Sequence, residues 1–404
     1  MYGETKVLTV KKIDDLSTDE LKAILTRSAE DISQVCDQVR ATVEEVRARG
    51  DDCILEHYAK HKPDIGPADL VASPEEIKAA YAALSPQAVA ALKKARQNIV
   101  RFHEAQKERA MWSLEVQPGV LLGRMTTALE AAGCYAPGGT ALYPSSVLMT
   151  VLPARVAGVD KVVVVSPPQK GMVANPAVLV AADIAGADMV VKVGGPWAVA
   201  GLAYGTATIP QVDKIVGPGN KYVTAAKLIV FGQVDIDSPA GPSESLILAD
   251  RTANPRHMAL DFLSQVEHDP DSGAVLVTDS ARLAQEVCRL VADIKPGLDR
   301  QEQLDSALSR HSHVLVARDM DQALDLTNSY APEHLQIVTA DPWALLPRIR
   351  HAGSIFLGPF APVPVGDYVS GTNHVLPTGQ MARIFSGLSI DDFLKKPTFQ
   401  YLSQ

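Results

Sequence analysis

The feature that most constrains this chain is an alternation of short β-branched runs with alanine-rich stretches of helical spacing. "KVVVVSPP" at 161–168 and "ADMVVKVGG" at 187–195 flank the helical "ANPAVLVAADIAG". Runs so uniformly apolar need cover on both faces, which parallel strands with crossover helices receive. The same grammar returns in "GAVLVTDS" at 273–280, in the helical "ARLAQEVCRLVADI", and in "SHVLVARD" and "GSIFLG". Two α/β halves are therefore expected, with loops such as "GPGNKY" and "SPAGPSES" gathering at strand ends.

Residues 16–110 read as mostly helical. Ser17 or Thr18 caps the first stretch, Gly50 stops it, and Ser73–Pro74 and Ser85–Pro86 open two more helices. A chain of 404 residues is long enough for two or more cores. The expected division is an N-terminal helical segment (1–110) partly packing on the second α/β domain, two α/β domains (111–240 and 241–385), and a short, truncated C-terminal segment (386–404).

Net charge is −9 and no Lys- or Arg-rich block occurs, which argues against nucleic acid and anionic membrane and leaves a small molecule as the default partner. Cys36, Cys53, Cys134 and Cys288 lie far apart, a usage that fits a reducing cytoplasm and neither a disulfide framework nor a thiolate zinc site. The N-terminus lacks an apolar signal core, and no apolar run approaches the ~20 residues of a membrane span.

Four segments carry candidate chemistry. In "NSYAPEHLQIV" (328–338), Pro332 pushes its predecessor towards extended geometry and suits a helix's first turn, so Glu333 and His334 are expected on a loop or helix start. Taken alone they are either a ligand-reaching acid–imidazole pair or a dipole-favoured glutamate beside a surface histidine. "LSQVEHDPDSG" places Gln265 and His268 three apart in an expected helix ended by Pro270, one face that suits either a metal or a helix-end histidine. "VGDYVSGTNHVLPTG" adds Asp367 and His374, either to a site for zinc or a similar divalent ion or to a solvated turn. "VGPGNKYV" either brings Asn220 and backbone amides to a phosphate or ribose, or is a plain tight loop.

Read together and in order, "AGCYAPGGTALYPSSVLMTVLPARVAGV", "VDKIVGPGNKYVTAAK", "IDSPAGPSESLILAD", "FLSQVEHDPDSG", "YAPEHL" and "GDYVSGTNHVLPTG" resemble the histidinol dehydrogenase family from about residue 20 to the C-terminus. The resemblance implies two incomplete Rossmann-like domains in an intertwined homodimer, and NAD-dependent oxidation of an alcohol to a carboxylate. It implies that His334 takes the alcohol proton and Glu333 activates water for the second oxidation. Gln265, His268 and Asp367 fall on the family's zinc ligands, with manganese an alternative ion. Ser243 falls on a substrate contact, and Tyr135 and Asn220 fall on NAD contacts. His374 falls on a site-lining histidine. The ligands Gln265, His268 and Asp367, with His334 and His374, also line the implied substrate pocket.

Three positions depart from that pattern. Val363 stands where a glutamate is common, and Trp197 stands where an NAD-contacting glutamine is common, there either to stack on the cofactor or to fill space. The chain stops at "FLKKPTFQYLSQ", whereas family members continue into a tail that supplies a glutamate and a histidine zinc ligand to the neighbouring subunit. With fewer carboxylates for a cationic imidazole amine, two other readings stay open: a relative oxidising another small polar alcohol, such as a sulfonated propanediol, or a non-catalytic binding homologue. The intact Glu333, His334, Gln265, His268 and Asp367 argue against the last.

Overall fold

Both expected α/β halves are present, and they share one strand order. The structure, a computed structural model, describes residues 8–27, 32–138 and 143–403. Residues 139–142, within the "GGTALYPSS" segment, lie outside the described residues.

The chain divides into two compact units, and the division departs from the expected one. The first unit gathers Met1–Asp31, Ser238–Gly366 and Leu376–Gly387, while the second gathers Ile32–Asp237, Asp367–Val375 and Leu388–Gln404. Only the first thirty or so of the N-terminal residues belong with the later α/β half; the helices after them belong with the earlier half. The stretch from Ser17 is also interrupted. A capping box between Ser17 and Glu20 starts helix Thr18–Thr26, which ends at Arg27 with a left-handed φ of 40° before helix Ser33–Arg49 begins. Ser73 and Ser85 cap their helices as expected.

In the first unit a six-stranded parallel sheet runs Val10–Lys12, His313–Val316, Gly273–Thr278, Glu244–Ala249, His334–Val338, Ser354–Leu357. In the second a five-stranded parallel sheet runs Met189–Val191, Lys161–Val165, Ala131–Tyr135, Lys214–Val216, Asp235–Ile236. Setting aside the Val10 edge strand, each sheet reads third, second, first, fourth, fifth in chain order, the doubly wound pattern that reverses direction between its first and fourth strands.

The uniform apolarity of the strands follows from burial on both faces. Leu246 and Leu248 enter one core of the first unit while Ile247 and Ala249 enter the opposite core. Val163 and Val165 likewise part from Val162 and Val164 in the second unit. A smaller antiparallel sheet was not anticipated: Thr398–Leu402 pairs with Val120–Met125, which pairs with Met111–Gln117. The C-terminal segment is therefore a strand of the second unit.

Candidate active site

Parallel pairing sets the acid–imidazole pair in the first unit. Helix Met320–Tyr330 ends at Ala331, whose φ of 49° is rare for a residue with a Cβ, and Pro332 prevents the helix from resuming. The chain then enters strand His334–Val338, where His334 lies opposite Ser245 on the neighbouring strand. Glu333 and His334 thus sit at a strand start and are 6% and 4% exposed, which overturns both the helix-start placement and the surface-histidine reading. The apolar run behind them is a buried central strand, and that dictates the change.

The pair is held largely by backbone. Glu333 Oε2 accepts from Ser243 Oγ at 2.8 Å and from the Glu244 N–H at 2.8 Å. His334 Nδ1 lies 3.1 Å from the Glu244 carbonyl and 3.4 Å from Glu333 Oε2. A carbonyl oxygen only accepts, so Nδ1 carries a proton, and in the neutral form of the ring the lone pair is on Nε2. The Glu333 carbonyl accepts from the Ser354 N–H at 2.8 Å, and a Cβ at Gly353 would lie 2.6 Å from that oxygen, so glycine is required beside it.

Gln265 extends the chain of contacts. Its Nε2 donates to Ser243 Oγ at 3.1 Å, which leaves the amide oxygen to accept from a ligand or to coordinate a metal. Its helix, Pro255–Val266, closes before Pro270 is reached, so His268 lies in the following turn and is exposed; the expected shared helical face does not extend to it. The carboxylate Glu244 is a site residue that sequence reasoning passed over. It is buried, forms a two-pronged ion pair with Arg27, and burial pushes its pKa up to about 6 despite that partner. Nothing local marks it, because it opens a strand of otherwise apolar or small residues.

The second unit carries the remaining expected residues. Asp367 lies in the short helix Val363–Tyr368, not in an Asx-type turn, and Val363 is that helix's first residue. The Asp367 carbonyl accepts from His374 Nδ1 at 2.8 Å, while His374 Nε2 lies 3.2 Å from Ser146 Oγ. Both ring nitrogens are thus engaged, a poor starting point for an extra metal ligand. Among the described residues no group of three or more His, Cys, Asp or Glu side chains gathers as a metal cluster, and the expected set includes a glutamine.

Tyr135, Trp197 and Asn220 all follow or end strands at the carboxyl edge of the second unit's sheet. Tyr135 ends the first strand and its hydroxyl accepts from the Gly195 N–H at 3.0 Å. Asn220, just past the fourth strand, caps helix Lys221–Val230 by accepting from the N–H groups of Tyr222 at 3.1 Å and Val223 at 3.3 Å. Between them Gly217 adopts φ 115°, and a Cβ there would lie 2.2 Å from the Tyr135 carbonyl oxygen. The edge is drawn in so tightly that only glycine fits. Trp197 stacks on His57 at 3.5 Å between ring centres, so its ring already has a partner within the protein.

The two units use opposite ends of their sheets. In the first, the carboxyl ends of the central strands are tied by Asp250, whose backbone N–H donates to the Val338 carbonyl at 3.2 Å and whose Oδ2 accepts from the Ala340 N–H at 2.8 Å. Its polar cluster lies instead at the amino ends, at Ser243, Glu244, Glu333 and His334.

Fold and site together define an α/β enzyme class with doubly wound parallel sheets and a buried acid–imidazole pair. Residues 25–404 match the family model described as histidinol dehydrogenase. The histidinol dehydrogenase of Methanocaldococcus jannaschii is 45% identical over 98% of this chain and 92% of its own. That of Methanothermobacter thermautotrophicus is 47% identical over 97% of this chain and 92% of its own. The crystal structure of histidinol dehydrogenase from Elizabethkingia anophelis superposes with a TM-score of 0.91 at 37% identity, covering 98% of this chain and 90% of that one. The chain belongs to the histidinol dehydrogenase family, a family of oxidoreductases. No helix among the described residues is long and apolar enough to cross a membrane.

Proposed function

We propose that this chain catalyses the NAD-dependent, zinc-assisted four-electron oxidation of L-histidinol through the aldehyde to L-histidine, as a cytoplasmic homodimer. The observation that carries the reading is the bond from His334 Nδ1 to the Glu244 carbonyl, which presents Nε2 as the base. In the alcohol step His334 Nε2 takes the hydroxyl proton, and Glu333 beside Nδ1 stabilises the imidazolium so formed. In the aldehyde step Glu333, anchored through Oε2, offers its other oxygen to orient and deprotonate water. The alcohol proton leaves His334 for solvent before water adds, and the two protons released as the hydrated aldehyde loses its hydride to become a carboxylate follow through the same pair.

Bound NAD would supply the hydride acceptor for both steps. The tight edge at Tyr135, Gly217 and Asn220 fits it, since doubly wound sheets bind ligands at the carboxyl edge where strand order reverses. Zinc, when bound, would supply a Lewis acid that polarises the alcohol oxygen. The Gln265 amide oxygen, the His268 imidazole and the Asp367 carboxylate fit such an ion, because oxygen and nitrogen donors suit zinc or manganese.

The test is NAD reduction with L-histidinol and with a panel of small alcohols, including a sulfonated propanediol, at saturating zinc. Two equivalents of NADH per L-histidinol are expected. Turnover of the sulfonated alcohol in preference would move the chain to a sister activity, and ligand binding without any turnover would make it a binding homologue. Sedimentation at twice the 43.2 kDa chain mass checks the dimer.

A further inference from the structure

The Arg27–Glu244 pair bridges 217 residues of sequence and is buried to the same extent on both sides, each side chain being 5% exposed. The arginine does more than neutralise the carboxylate. Its Nη1 donates to the Tyr330 carbonyl at 2.6 Å and its Nη2 to the Ala331 carbonyl at 3.3 Å, and the guanidinium carbon lies 3.8 Å over the Tyr330 ring. One planar fork therefore grips both the left-handed turn that launches Glu333 and the glutamate that receives it. Glu244 passes the constraint on. Its Oε1 accepts from the Glu333 N–H at 3.3 Å, its own N–H donates to Glu333 Oε2 at 2.8 Å, and its carbonyl accepts from His334 Nδ1 at 3.1 Å.

We propose that Arg27 is a positioning residue for the Glu333–His334 pair: through Glu244 and the Tyr330–Ala331 turn it sets the tautomer and aim of the base. The proposal rests on the reading of that pair given above. A lysine cannot substitute, because a single ammonium point charge cannot hold a carboxylate and two carbonyls in one plane. The left-handed Ala331 needs such a hold, since its conformation persists only where its surroundings over-determine it.

The experiment compares the parent with Arg27→Lys by steady-state kinetics on L-histidinol and by nitrogen-15 NMR of the imidazoles, the His334 signal being assigned from its absence in His334→Asn. Arg27→Lys should lower kcat roughly 10- to 100-fold with KM little changed, as a small misplacement of a reacting group does. The His334 signal should pass from one Nδ1–H tautomer in the parent to a mixture. In Arg27→Ala, added guanidinium ion should restore part of the lost turnover, whereas urea should not. Unchanged turnover overturns the proposal. So does a loss that merely follows the folded fraction while the His334 tautomer stays fixed. If the parent fails to oxidise L-histidinol, the functional reading falls, and the NMR comparison, which needs no substrate, still decides the positioning claim.

Discussion

At the scale of single residues, the division of labour proposed for the acid and the imidazole follows from what holds them. His334 is oriented by a carbonyl acceptor, and Glu333 by a hydroxyl and an amide donor. His334→Asn should lower turnover roughly 10²- to 10⁴-fold, the usual size of a general-base contribution, with circular dichroism unchanged. Glu333→Gln should slow the aldehyde-to-acid step more than the alcohol step, measured by supplying each substrate separately. Equal losses in both half-reactions would remove the water-activating role. Adjacency of the pair was legible in the sequence. Its burial was not, because "HLQIV" becomes a central strand only once Ser245 and Ser354 lie on either side of His334.

At the scale of elements, the second unit shows how a helix start takes shape at a sheet edge. Helix Gly195–Tyr204 carries Trp197 in its first turn, and helix Asp51–Tyr58 brings His57 onto the indole. Burial, with help from Lys60 and His61, holds the His57 pKa down to about 4. The unfolded chain, with histidine near 6.5, therefore binds more protons than the folded one between those values. The contribution of His57 is present above pH 6.5 and is lost as pH falls towards about 4. Denaturant melts across this range should show stability falling on acidification, and Trp197→Gln should make that fall shallower by re-exposing the ring. If the pH slope is the same in both proteins, the stack does not govern the histidine. Whether Trp197 would fill space or contact a cofactor was left open by sequence; the partner found for it comes from a helix about 140 residues earlier and has no local signature.

At the scale of the whole molecule, each unit anchors the polar edge of its sheet with a buried ion pair. Arg27 and Glu244 do so in the first, and Lys227 and Asp237 in the second, where Asp237 accepts from the Gly217 N–H at 2.7 Å and Lys227 donates to the Gly217 carbonyl at 3.1 Å. The proposed metal set is the Gln265 amide, the His268 imidazole and the Asp367 carboxylate. A site with a weak neutral amide among three protein ligands should exchange its ion readily. The purified protein should therefore be partly metal-free by elemental analysis, and added zinc or manganese should raise turnover. His268→Ala should abolish that response and leave NAD binding, measured by calorimetry, intact. A stoichiometric zinc that survives prolonged chelation would contradict this.

What the sequence determined by itself was local. Caps at Ser17, Ser73 and Ser85, strands such as Lys161–Val165, and the doubled βαβ grammar follow from spacing and side-chain type within a few residues. The motifs that resemble the family were legible for the same reason. Tertiary structure alone decided which strands became neighbours and which sheet edge received the polar residues. It alone could show that Glu244, at the head of an apolar strand, meets a guanidinium 217 residues away. A buried carboxylate needs its cation, but the burial that creates the need exists only after the crossovers have brought distant segments together, and no period in the chain records that distance.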